Sequence, residues 1–186
     1  DGGIMSDLKV NEVKTDTIKD QTGTTAMTID STGRVLTPAR PYFRVGMGTS
    51  TSQITGGFVI FDTIKDNVGG HYDTSNGRFT APLAGVYQFG HSILFQDVAS
   101  GDDGITIEYR KNGANDTTTW LFDRADGQDA LGYSGQGGYL NSRGSATFLL
   151  GVGDYVNMYL SAGGNGVGVH GNSNQSWSQW YGYLVG

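Results

Sequence analysis

The sequence of 186 residues contains no cysteine, so disulfides cannot hold its fold, and cysteine-based catalysis and zinc binding are excluded. Proline is also scarce, with three residues, whereas glycine is abundant, with 31. No Gly-X-Y repeat accompanies this glycine, which excludes a collagen. Glycine at this density, placed among Thr, Tyr, Val and Phe, favours many short strands joined by tight turns.

Basic residues are also few. The sequence has 12 lysines and arginines against 18 acidic residues, which gives a net charge of -6. No segment carries the basic stripe that nucleic acid requires, so we expect no nucleic-acid partner. No apolar run is long enough to cross a membrane, and we expect no membrane insertion. The polar start offers no secretion signal; we expect residues 1–4 to be a cloning remnant ahead of a natural start at Met5.

Residues 5–40 differ from the rest of the chain, and Pro38-Ala39-Arg40-Pro41 marks the boundary. Their apolar residues are sparse, and Thr22-Gly23 and Thr32-Gly33 are turn signals. So few apolar groups cannot offset the entropy of ordering a monomer. The segment is therefore either flexible or ordered by winding with copies of itself, and we expect an extended β/coil stalk.

Residues 41–186 carry dense strand signals and no amphipathic helix. Apolar and polar residues alternate in Gly85–Phe95, Gly104–Arg110 and Tyr155–Leu160, as expected of half-buried strands. Short strands with glycine-rich turns predict a sandwich, barrel or jelly roll. We expect one domain whose core includes Phe61, Phe79, Tyr87, Phe89, Val156, Met158 and Leu184.

A series of short motifs resembles the C1q globular-head family in content and order. The resemblance covers about residues 42–186 and implies an all-β, C1q/TNF-like jelly-roll sandwich of ten strands. It also implies a homotrimer, in keeping with the second aromatic face that alternates with Val156. The motifs are Phe61-Asp62, Asn67, Tyr72–Phe79, Pro82–Phe89, Lys111-Asn112-Gly113, Leu150–Val156 and Trp180–Leu184. The candidate trimer-interface residues are Tyr155, Asn157, Tyr159, Tyr181 and Tyr183.

Residues 5–40 resemble the N-terminal pieces of phage tail-fibre and appendage proteins. This resemblance implies a virion protein, made in the host cytoplasm and exposed on the particle, with the N-terminal segment bound to another virion protein. The head would then bind a receptor or glycan on the host surface. Two alternatives stay open, a purely structural capsid or tail decoration protein and a bacterial C1q-like lectin.

Catalytic patterns are missing from the sequence, and we expect no enzyme. His71, His91 and His170 are far apart, and His91 lies in a strand alternation that favours a core position. No nucleophile elbow is present. Gly163–Gly168 superficially resembles a dinucleotide fingerprint but does not open a predicted helix.

Two acidic runs offer the oxygen ligands that calcium prefers. Neither has the full EF-hand ligand pattern, so solvated loop charge is the alternative, and no other cofactor is predicted. The candidate calcium ligands are Asp102, Asp103, Asp123, Asp126 and Asp129.

Aromatic residues collect in two irregular segments, 114–144 and 161–179, which depart from the family pattern. Flat rings beside amides and carboxylates suit the apolar faces and hydroxyl rims of sugars. The resemblance implies that both termini lie near the base of the trimer, so we expect these residues to bind ligand from loops at the opposite end of the head or on its flanks. The alternative is that they pack under long loops or at the subunit interface. The candidates are Trp120, Tyr133, Tyr139 and Trp177.

Overall fold

The computed structural model describes residues 15–98, 104–113, 138–164, 166–174 and 177–186. All regular structure in these ranges is β-strand, which confirms the predicted all-β class. The chain divides into two compact units at Arg40 and Pro41. Each unit is described by itself below, and residues 41–186 are called the head.

The N-terminal unit contains a small antiparallel sheet with the strand order β1-β2-β3. Ile18 pairs with Met27 across the first two strands, and Ile29 pairs with Val35 across the next two. The strands are β1 (Thr17–Lys19), β2 (Thr25–Ile29) and β3 (Val35–Leu36).

The same turn joins the strands of this unit twice. Asp20 Oδ1 accepts hydrogen bonds from the backbone N–H groups of Thr22 and Thr24, at 2.8 and 2.9 Å. Asp30 Oδ1 repeats this contact with the backbone two and four residues further on, at 2.9 and 3.0 Å. Gly23 and Gly33 follow with φ of +88° and +80°, a conformation that glycine adopts without steric cost. Both predicted turns are therefore present.

The head contains eleven described strands rather than the ten predicted, because several pairings of two or three residues form separate strands. They are β4 (Tyr42–Gly46), β5 (Gly56–Phe58), β6 (Thr63–Val68), β7 (Tyr72–Asp73), β8 (Arg78–Thr80), β9 (Gly85–Val98), β10 (Thr106–Lys111), β11 (Gly138–Leu150), β12 (Tyr155–Ser161), β13 (Gly168–Val169) and β14 (Gln179–Leu184).

These strands form two antiparallel sheets. The β9 sheet has the order β11-β9-β14-β4-β6, with β13 also paired to β9. The β12 sheet has the order β10-β12-β8-β7, with β5 also paired to β12. Alternating residues of each sheet point into one shared core, as expected of a sandwich.

Aromatic rings dominate that core. Phe89 lies among Phe43, Phe79 and Trp180, with ring centroids 5.6 to 6.1 Å apart. Leu184 was predicted to be buried but is only partly so, because it ends the last strand and packs at the margin of the core. The other predicted core residues are all buried: Phe61, Phe79, Tyr87, Phe89, Val156 and Met158.

The strand register gives the head two distinct ends. Tyr42, at the start of the head, pairs with Tyr183 near its C-terminus, so both termini lie at one end of the β9 sheet. The opposite end, called the distal end here, is where β9 finishes at Val98 and β11 begins at Gly138. The segment 114–144, which departs from the motif pattern described above, was predicted to be irregular throughout. It instead includes the first seven residues of strand β11.

Candidate functional site

Three aromatic side chains from separate segments meet at the distal end of the head. The imidazole of His170 stacks on the indole of Trp177, with centroids 4.5 Å apart and planes at 21°. The phenol ring of Tyr139 meets the same imidazole edge-on at 5.3 Å. Tyr139 is 58% exposed and Trp177 is 41% exposed, so this distal aromatic cluster is open to solvent.

The segment that carries His170 is tied to the sheet by its backbone. The N–H of His170 donates to the carbonyl of Leu94 at 2.8 Å, and Ser178 Oγ donates to the carbonyl of His170 at 2.7 Å. Thr51 exchanges two further bonds with Val169, one through its backbone N–H at 3.0 Å and one through its Oγ1 at 2.8 Å. The cluster therefore stands on an ordered support, as a preformed binding surface requires.

Neutral polar groups line the inner side of the cluster. His170 Nδ1 lies 2.6 Å from Oε1 of Gln96 and 3.4 Å from Oγ of Ser50. When Nδ1 donates to the Gln96 oxygen, a neutral imidazole keeps Nε2 as an acceptor for a ligand hydroxyl. Flat apolar ring faces beside an amide, a hydroxyl and an imidazole suit a ligand with C–H faces and hydroxyl edges.

A family model of the C1q domain matches residues 42–185 of the chain. The chain belongs to the C1q domain family. Its fold is similar to the globular domain of zebrafish complement 1qA protein, with 16% identity and a TM-score of 0.53 over 79% of this chain and 98% of that one. It is also similar to murine APRIL at pH 5.0, with 13% identity and a TM-score of 0.52 over 78% of this chain and 99% of that one. The predicted C1q/TNF-like jelly roll is confirmed.

The C1q head brings together two of the four residues predicted to bind ligand. Tyr139 and Trp177 join the distal aromatic cluster. Tyr139 was predicted to lie in a loop, but it belongs to strand β11. Trp120 and Tyr133 lie outside the described residues. His170 was not predicted, because only the pairing of β13 with β9 brings it to Gln96 and Tyr139, and no local spacing announces that pairing.

The predicted calcium ligands, Asp102, Asp103, Asp123, Asp126 and Asp129, all lie outside the described residues. Elsewhere in the described ranges, no group of three or more His, Asp or Glu side chains is placed to hold a metal ion. The same ranges contain no helix with the length and apolar character of a membrane span.

The first three predicted interface residues lie on the outward face of the β12 sheet. The Arg78 guanidinium lies 4.2 Å from the ring centroid of Tyr155, and the Arg110 guanidinium lies 3.4 Å from that of Tyr159. Asn157 pairs with both arginines across the sheet and is 1% exposed. These stacked cations cover the face of strand β12.

The remaining two predicted interface residues lie on the outward face of the other sheet. Tyr181 packs over Gly90, where any side chain would collide with the phenol ring. Tyr183 is 40% exposed, and the same face of the β9 sheet exposes Val86 and Leu149. The head thus presents the five predicted residues on two opposite faces and not on one.

A buried histidine joins the two sheets of the head. His91 Nε2 lies 2.9 Å from Oγ of Ser142, and Nδ1 lies 2.7 Å from the hydroxyl of Tyr109. The arrangement superficially matches a serine nucleophile with its base, but Ser142 is 1% exposed and out of reach of a substrate. Burial raises the pKa of Tyr109 well above its usual value, so the third group is a neutral phenol and not a carboxylate. His91 is therefore the hydrogen-bonded core histidine that the sequence predicted.

Proposed function

We propose that this protein is a trimeric, non-enzymatic appendage of a phage particle, whose C1q head binds a host-surface glycan. Domains of the C1q/TNF-like families typically form trimers and bind ligands or receptors. The observation that carries the proposal is the distal aromatic cluster of Tyr139, His170 and Trp177, which is exposed above a segment hydrogen-bonded to the sheet.

The chemistry of the cluster favours a neutral, hydroxyl-rich sugar. Among the described residues, its side chains bond to the neutral groups of Gln96 and Ser50 and not to a lysine or arginine. An acidic glycan or a phosphate would favour a guanidinium at this place. A neutral pyranose instead offers a C–H face to Trp177 and hydroxyls to Gln96 and His170.

The trimer multiplies a weak contact at each head. Three clusters facing the same way convert later contacts into intramolecular events, which raises the overall affinity about 10² to 10⁴-fold. A heterologous contact about a three-fold axis uses two different patches of each subunit. The outward faces that carry Tyr159 and Tyr183 supply two such patches. Light scattering of the full chain at micromolar concentration tests this, and a monomer mass would contradict the trimer.

Residues 5–40 would attach the head to another virion protein and place it on the outside of the particle. The resemblance of this segment to phage tail-fibre and appendage proteins supports the assignment. It also fits the position of the cluster, which lies at the end of the head opposite Tyr42, where the N-terminal segment joins.

Binding of fluorescently labelled protein to host cells, and to a panel of neutral and acidic glycans, tests the function. We expect Trp177→Ala to weaken binding at least about tenfold, because losing a stacked ring at the centre of a site removes on the order of 1.4 kcal/mol or more. Leu83→Ala is the control, because Leu83 is 51% exposed and lies just before strand β9, at the end of the head opposite the cluster.

Three outcomes separate the candidate roles. Loss with Trp177→Ala but not with Leu83→Ala supports the site. Equal binding by both folded variants would place the ligand elsewhere on the head. If the wild-type protein binds no candidate host, a purely structural decoration role is the better assignment.

A further inference from the structure

The sheet of the N-terminal unit has one apolar face that the described residues 15–40 do not cover. Directly opposed residues of antiparallel strands point to the same side, as do alternate residues along one strand. The register therefore places Ile18, Met27, Ile29 and Val35 on one face. None of them is buried, and the exposed fractions of Ile18, Ile29 and Val35 are 46%, 37% and 58%.

A sheet of this size needs a partner for that face. Units below about 40 residues usually depend on disulfides, metals or association with other chains. The sequence has no cysteine, and the described residues contain no group of three or more His, Asp or Glu side chains that could hold a metal ion. The Asp20 and Asp30 turns shape the strands but bury no apolar surface, so they do not replace a core.

We propose that residues 15–40 of separate copies associate through this face, so that Ile18, Met27, Ile29 and Val35 of each copy form one shared apolar core. This inference rests on the proposed trimer, which holds the three N-terminal units at high effective concentration because residue 41 already belongs to the head. Identical apolar faces arranged about a symmetry axis are complementary to one another without further specialisation. The N-terminal segment is then a second assembly element.

The two faces of the sheet differ in the way that self-association requires. Thr17, Thr28 and Leu36 form a row on the opposite face. Two of these three side chains carry hydroxyls, and only Leu36 is aliphatic and exposed. A partner that wrapped the whole sheet would need apolar groups on both sides. Copies of this chain need only the Ile29 side, and they leave the Thr28 side in water.

The absence of native cysteine makes a cross-linking test clean. In the full-length chain, Ile29→Cys should form disulfide-linked pairs of chains under a mild oxidant, because equivalent positions on facing strands come within disulfide reach. Thr28→Cys is the matched control, since it is the next residue on the same strand and points to the other face. We expect linked pairs for Ile29→Cys, up to two of every three chains, and none for Thr28→Cys.

A second measurement keeps a negative result informative. Hydrogen exchange should show protected amides in β2 of the wild-type chain and lose that protection in Ile29→Asp, with the amides of the head unchanged. Linked pairs that form equally for both cysteines, or protection that survives Ile29→Asp, would overturn the inference. Protection without any linked pairs would also overturn it, by indicating that another surface covers the face. The trimer proposal fails separately, through a monomer mass in light scattering of the wild-type chain.

Discussion

The N-terminal unit and the head stabilise their turns with the same kind of aspartate hydrogen bond, but only the head encloses a buried core. In the N-terminal unit, Asp20 and Asp30 each hold a tight turn through backbone N–H groups two and four residues further on. In the head, Asp73 accepts from the backbone N–H of Ser75, and Asp154 accepts from that of Gly151. The turns of both regions are therefore satisfied locally, whatever lies beneath the strands.

The difference lies in what the strands enclose. The strands of the head bury Phe43, Phe89 and Trp180 between two sheets, whereas every aliphatic side chain of the N-terminal sheet keeps contact with solvent. Turn chemistry thus sets where strands begin and end, and stability depends on a second layer. In the head this layer is the other sheet of the same chain.

The largest effect should come from the centre of the head's core. Phe89→Ala removes a ring that packs on Phe43, Phe79 and Trp180, and we expect a loss of about 3–5 kcal/mol in the free energy of unfolding. Chemical unfolding followed by tryptophan fluorescence measures it. Ile29→Ala, in the N-terminal sheet, should leave the head's own unfolding midpoint unchanged. A shared loss would mean that the two units unfold together.

A smaller effect should separate two uses of glycine. Gly182 lies against the core, where a Cβ would come 2.5 Å from Cδ1 of Phe89, so Gly182→Ala should destabilise the head by about 1–3 kcal/mol. Gly33 has open space around it but φ of +80°, so Gly33→Ala should cost only about 1 kcal/mol, confined to its turn. Amide exchange resolves the two regions. An undisturbed head in Gly182→Ala would contradict the packing argument.

The smallest effect concerns the pH dependence of a single turn. The Thr32 hydroxyl and then the backbone and side chain of Arg34 lower the pKa of Asp30 from 3.8 to about 2. Because the folded pKa is the lower one, this turn contributes fully above pH 3.8 and loses its contribution as the pH falls toward 2. Carboxyl chemical shifts from NMR report the titration directly.

A matched pair of variants identifies the cause of that shift. Thr32→Val removes the largest contribution and should move the pKa of Asp30 back toward 3.8. Thr28→Val removes a hydroxyl from the adjacent strand and should leave the titration in place. An unchanged pKa in Thr32→Val would show that the hydroxyl is not needed and that Arg34 and the backbone N–H of Thr32 hold the pKa of the carboxylate down.

Local sequence patterns predicted the elements of the head better than they predicted the site. Alternation placed Val156 and Met158 in the core because a strand's two faces follow directly from a period of two. The Asn112-Gly113 turn was equally readable, since both residues adopt positive φ, at 53° and 71°, a conformation that asparagine and glycine tolerate better than other residues. These features depend on neighbours in the sequence.

The site depends on neighbours in space. His170 meets Tyr139 and Gln96 only after strand β13 has paired with β9, and nothing in the Gly-rich sequence around His170 marks that pairing. The same limit applies to His91, whose partners Tyr109 and Ser142 lie 18 and 51 residues away. The alternation predicted burial of this histidine but not the hydroxyls that satisfy it.

The register of strand β4 has a mechanical consequence for a tethered binding protein. The chain enters the head at Tyr42, and β4 runs from there toward the distal end, with five residue pairs to β14 on one side and further pairs to β6 on the other. A ligand held at the distal end and a tether pulling at residue 41 would load β4 along its own axis. The hydrogen bonds of β4 to both neighbouring strands would then have to break together in shear, and not one after another from one end. Under the proposed function, a pull between the ligand and the tether would therefore load this strand in shear.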